Sequence, residues 1–176
     1  MRFAVRRIAW LPWLACALML APVANANDLP EYRLKAAFVY NFMLFTEWPA
    51  DGGSSLNLCI HGKDPFGPEI DGLQGKAAAG RSIVVHRKAV GESLKACHAV
   101  FIAPSAIEGL PRLLESLRNQ PVLTVADSPG AMQKGVALNM NVAQGKVSFE
   151  ANLLAARSAG LGLSSKLLRL ATEVQQ

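Results

Sequence analysis

Charge is scarce in this sequence. Only 18% of its 176 residues are charged, while 51% are hydrophobic, and that balance excludes an intrinsically disordered chain. Signatures of catalysis are scarce too. There is no G-x-S-x-G elbow for a serine hydrolase. Gly62-Lys63 lacks the upstream glycine of a phosphate-binding loop. Glu47, Asp64, Asp127 and Glu150 form no evident paired-carboxylate motif, which weakens a glycosidase reading. Cysteines number three and include no C-x-x-C, which removes the local pair that a thiol oxidoreductase uses. Internal repeats, linkers and low-complexity tracts are absent.

What is present begins with an excess of basic charge. Eighteen Lys and Arg stand against thirteen Asp and Glu, for a net charge of +5. Such a balance invites a nucleic-acid partner, so the position of the charge matters. Arg2, Arg6 and Arg7 precede an apolar core at residues 8–20, and Ala24-Asn25-Ala26 supplies small residues at the minus-three and minus-one positions. A charged start, a short apolar core and an A-x-A ending predict a secretory signal peptide cleaved after Ala26. The core is shorter than the roughly 20 residues of a membrane-spanning helix. The expected organisation is therefore a leader at 1–26 and one domain at 27–176. Without the leader the net charge falls to about +2, and the longest basic run is Arg87-Lys88. Nothing of that size tracks a phosphate backbone, so no nucleic-acid partner is expected.

Loss of the leader also removes Cys16. Cys59 and Cys97 remain as an even pair in an oxidising compartment. Two readings stay open for them. One is a disulfide. The other is a zinc site with the adjacent His61 and His98, which strand geometry disfavours: Cys59 and His61 share a face, whereas Cys97 and His98 do not.

Hydrophobic patterning predicts the elements. Asp28, Pro30 and Glu31 suit a helix start, and the apolar run at 32–48 extends it to Pro49. So wide an apolar face is buried by the fold or by a second subunit. Apolar, β-branched runs at 56–61, 82–86, 99–103 and 122–125 predict strands covered on both sides. Short helical stretches are expected at 68–73 and 92–96. Ser105 with Glu108 reads as a capping box for a helix interrupted by Pro111. Residues 136–142 and 146–150 predict a hairpin around Ala143-Gln144-Gly145, with helices following at 151–159 and 164–173. The fold class is α/β: a single-domain sandwich with a mixed, mostly parallel sheet of about six strands, a C-terminal hairpin and flanking helices.

Several segments together resemble the YfiR family of exported regulators. They are LKAAFVYNF at 34–42 closing with Glu47-Trp48-Pro49, LCIHGKDPFG at 58–67, CHAVFI at 97–102, PVLTVAD at 121–127 and VSFEANL at 147–153. Ala155-Ala156-Arg157 and the stretch from Gly160 to Ala171 continue the match, which spans roughly 31–173. The resemblance implies a periplasmic α/β protein without known catalysis or cofactor. It implies inhibition of a membrane-bound diguanylate cyclase through that enzyme's periplasmic portion. It further implies sequestration by an outer-membrane, peptidoglycan-binding lipoprotein, and a homodimer. Cys59 and Cys97 fit one disulfide pair of the family, while a second, more C-terminal pair of some relatives is missing. Phe149, Glu150, Asn152 and Arg157 fit the family's partner-contacting region. Read as residues alone, Glu150 equally charges a helix start, Asn152 is structural, and Arg157 either docks a carboxylate or is a solvated cation.

Overall fold

A computed structural model describes residues 28–50 and 53–176; the expected leader and its cleavage point after Ala26 lie outside the described residues. The chain runs α1 (Asp28–Leu44), β1 (Thr46–Glu47), β2 (Ser55–His61), α2 (Pro68–Asp71), β3 (Ala77–Ala78), β4 (Arg81–Lys88) and β5 (Ala99–Ile102). A 3-10 helix (Pro104–Gly109) leads into α3 (Leu110–Ser116), followed by β6 (Leu123–Ala126), β7 (Leu138–Ala143) and β8 (Lys146–Asn152). The chain closes with α4 (Leu153–Ser158), β9 (Gly162–Leu163), α5 (Ser165–Leu168) and β10 (Glu173–Gln175).

Eight strands form the main sheet in the order β10-β8-β7-β6-β5-β2-β4-β3. The apolar runs pair in parallel: β2 with β4 and β5, β5 with β6, and β6 with β7. The hairpin of β7 and β8 is antiparallel, and its turn places Gln144 and Gly145 at positive φ, as a tight two-residue connection requires. The sheet is thus mixed and mostly parallel, as the sequence indicates. Its extra strands, β3 and β10, are two and three residues long, and β1 pairs with β9 in a separate two-stranded ribbon. Elements so short carry no periodic pattern, which is why they were not foreseen.

Alternation along the strands sets two layers. Leu56, Leu58, Ile60, Phe101, Leu123, Val125 and Phe149 face one side, where Ala36, Val39, Phe42 and Met43 of α1 cover them. Cys59, Val100, Ile102 and Ala126 face the other, under Leu110 and Leu113 of α3. Lys35 interrupts the apolar face of α1. It is buried, and its ammonium lies 2.7 Å from Asp127 at the end of β6 and 2.5 Å from Glu31. Tyr32 donates to the same Asp127 oxygen at 3.0 Å. This polar anchor joins α1 to the sheet across more than 90 residues of sequence.

Four local expectations are corrected. The helix expected to reach Trp48 ends at Leu44, because its last carbonyls find side-chain donors: the Thr46 hydroxyl donates to Phe42 O (2.6 Å) and Trp48 Nε1 to Met43 O (3.1 Å). Residues 92–96 form turns rather than a helix. Ser105 caps no helix; Pro104 occupies the first turn, and the Ser105 Oγ accepts instead from the Lys63 amide at 2.8 Å. The final helix stops at Leu168, after which the chain adds β10 alongside β8.

Candidate functional site

The segment from β8 into α4 is positioned by strand alternation followed by a helix cap. Phe149 points into the aromatic layer, 2% exposed, with its ring 4.9 Å from Phe42 and 6.0 Å from Phe38 in edge contacts. Glu150 points to the opposite side and is half-buried, its Oε2 accepting from Asn139 Nδ2 at 3.4 Å. Asn152 is the N-cap of α4: its Oδ1 accepts from the Ala155 amide at 2.8 Å. Its Nδ2 donates to Met132 O and Gln175 Oε1. The structural reading of Asn152 thus has a definite geometry. Arg157 stands exposed in the last turn of α4, where a cation suits the negative helix end, and makes no ion pair among the described residues. The four residues therefore split: Arg157 faces solvent, Glu150 is partly reachable, and Phe149 and Asn152 hold the segment in place.

Sequence reasoning missed the groove beside this segment. It has a volume of about 650 Å3 and runs between α3 and α4, with Leu114, Leu117 and Val122 on one wall and Leu154 and Ala155 on the other. Leu154 is 51% exposed. Arg118 on the rim pairs with Glu115 at 2.5 Å, while Lys134 makes no ion pair among the described residues. The signal for Leu154 was available: Leu153 and Ala156 point inward, so the residue after Leu153 turns out of the core.

The cysteines form a disulfide, with Cα atoms 5.8 Å apart. Both thiols are consumed by it, and His98 and His86 serve other partners. His98 Nδ1 accepts from the Asn57 amide at 3.0 Å, and His86 Nε2 lies 3.3 Å from Asn57 Oδ1. Burial, aided by the charge of Arg81, lowers the pKa of His98. Burial likewise lowers that of His61, against the opposing pull of Glu92. Among the described residues, no three His, Cys, Asp or Glu side chains gather as a metal site, and no helix is long and apolar enough to cross a membrane.

These features define an α/β domain with a doubly wound parallel core and an open groove at one margin. The sequence profile of the YfiR/HmsC-like family matches residues 32–172, and the chain belongs to that family. Members are periplasmic and act in the regulation of diguanylate cyclase signalling; the disulfide fits an oxidising compartment. A conserved domain protein from Vibrio cholerae O1 biovar El Tor has a similar fold, with a TM-score of 0.52 and 9% identity. The match covers 82% of this chain and 60% of the Vibrio chain, so this protein spans less than two-thirds of that neighbour.

Proposed function

We propose that this chain is a periplasmic negative regulator, exported by a leader ending at Ala26, that binds the sensor portion of an inner-membrane diguanylate cyclase and represses cyclic-di-GMP synthesis. Family membership across residues 32–172 carries the reading. The groove between α3 and α4 supplies a surface for it. An apolar floor with Leu154 at its edge, the uncommitted Lys134 in the lining and the exposed Arg157 on α4 suit a cyclase segment that offers an apolar anchor and a carboxylate. Asn152 lines the groove, and Phe149 fixes the path of β8 toward it, while Glu150, bonded to Asn139, lies off the groove and is the weaker contact candidate.

Repression needs no catalysis by this chain. It requires tighter binding to the inactive conformation of the sensor than to the active one, since a ligand shifts an equilibrium only by its differential affinity. An outer-membrane, peptidoglycan-binding lipoprotein that competes for the chain would release the cyclase. A second copy of the chain is assigned to the outer stripe of α1, where Leu34 and Leu44 are exposed.

Deleting the gene in a strain that expresses the neighbouring membrane cyclase is expected to raise cyclic-di-GMP and biofilm. Wild-type protein restores repression, whereas Leu154→Asp, folded and exported, binds about tenfold more weakly, or ~1.4 kcal/mol, and restores little. Unchanged cyclic-di-GMP after deletion sinks the reading.

A further inference from the structure

The parallel strands run β4-β2-β5-β6-β7, so the chain leaves β2 in one direction and returns to its other side at β5. Ligands of doubly wound sheets bind outside the carboxyl ends of strands at such a reversal. Here the two loops are stitched together at that point. The Ala103 amide donates to His61 O at 3.0 Å, and a Cβ on Gly62 would meet Ser105 Oγ at 2.8 Å. Open space remains on the α3 side, where a cavity of about 500 Å3 lies between α3 and the 89–98 loop.

Three observations mark this cavity. His61, the last residue of β2, borders it; the side chain is 6% exposed, and its buried Nδ1 has no hydrogen-bond partner. Buried polar atoms are nearly always paired, so an unpaired one on a residue bordering the cavity calls for an explanation. Lys95 and Arg112 also border the cavity, both exposed and neither in an ion pair among the described residues. The cavity's one acid, Glu92, is already committed to the Ala89 amide and to Lys88, at 3.2 and 3.5 Å. Leu94, Ala106, Leu113 and Leu117 supply the apolar part of the walls, and Ser93, Ser116 and Gln120 add neutral polar groups. A few convergent polar groups in an apolar cavity of this size are the usual composition of a small-molecule site.

We propose that this cavity binds a small organic acid, with a compact apolar body against Leu94 and Leu113 and a carboxylate held by Arg112, Lys95 and a hydrogen bond from His61. Burial keeps the imidazole neutral, so it donates one N–H without adding charge. Arg112 supplies the two-pronged geometry that suits a carboxylate. The Cys59–Cys97 bond lies two residues beyond Lys95 and tethers the loop to β2, which holds the site in shape before the ligand arrives. The site meets the groove assigned to the cyclase only at Leu117, and it stands whether or not that assignment does.

The test is an NMR titration of the purified, disulfide-intact protein with acetate, hexanoate and benzoate, following the His61 ring and the amides of 89–95 and 106–117. Benzamide and inorganic phosphate serve as controls. At least one of the larger acids is expected to give a saturable response at these positions, with benzamide and phosphate giving none. Arg112→Gln and Lys95→Gln, both at exposed positions, are each expected to weaken that response about tenfold. The proposal is overturned if none of the three acids saturates, if benzamide binds as well as benzoate, if phosphate alone binds, or if both variants bind like wild type.

Discussion

On the α1 side of the sheet, Phe42, Phe66, Phe101 and Phe149 are fully buried, Phe42 in edge contact with Phe149 at 4.9 Å and Phe66 with Phe101 at 4.6 Å. On the α3 side the buried cluster holds no aromatic ring; Leu, Val, Ile and Ala fill it, together with the Cys59–Cys97 disulfide. The two cavities described above border α3, and Leu117 lines both. Large rings fill much of the first layer. The second layer has smaller side chains over shorter helices, and a covalent bond fixes the 89–98 loop where packing is thin. One sheet therefore carries a ring-packed layer and a layer bordered by two open cavities, and the sites proposed above lie in the second.

Three measurements would break or sharpen that contrast. The largest effect is expected from Phe42→Ala, which empties the centre of the ring cluster and lowers stability by about 3–5 kcal/mol in denaturant unfolding. Leu113→Ala, beside an existing cavity, is expected near the low end for its class, about 2 kcal/mol. Equal losses at the two positions would erase the distinction between the layers. Next comes the double variant Cys59→Ala/Cys97→Ala. The bond closes 38 residues, and its loss is expected to lower stability by about 2–4 kcal/mol. Limited proteolysis should then cut first within 89–98; a first cut in α1 would contradict the role given to the tether.

The smallest effect is a pH dependence carried by His98, whose neighbour Cys97 is bonded into the α3-side layer. Burial and the Arg81 charge hold the pKa of His98 below the ordinary value of 6.5. The unfolded chain then binds more protons than the folded one between the two values. Stability is thus full above about pH 6.5 and falls as the pH drops toward the folded pKa. Protonating Nδ1 also removes the acceptor for the Asn57 amide. Urea midpoints at about pH 7.5 and about pH 5.5 should differ in wild type and differ less in His98→Gln. An unchanged pH difference in that variant would show that His98 does not carry it.

Much of this arrangement is legible before folding. The runs at 56–61, 82–86, 99–103 and 122–125 become β2, β4, β5 and β6, because a strand covered on both sides must be apolar throughout. The end of α1 is not legible. Thr46 and Trp48 look like more of the same apolar helix, and only the carbonyls of Phe42 and Met43 turn them into its terminus. Ser105 carries a capping pattern, yet a loop forty residues away takes its oxygen. In the partner segment, period two already separates Phe149 from Glu150, but which of them faces the core depends on where α1 lies. His61 was conspicuous beside Cys59 as a metal ligand; its place in a cavity wall follows from α3 and the 89–98 loop, neither of which is near it in sequence.

Composition and pattern alone determined the α/β class, the parallel core and the hairpin, while the family rests on the resemblance of several motifs in order. The first three follow from local rules: alternation, turn chemistry and the spacing of apolar residues. Tertiary structure decided which face of each strand meets rings and which meets the disulfide. It also joined Lys35 to Asp127 and left a groove and a cavity along α3. Periodicity says that neighbouring side chains point to opposite sides of a sheet. Which layer covers each side is settled only when segments distant in sequence pack against it, and the groove and the cavity arise where that covering is incomplete.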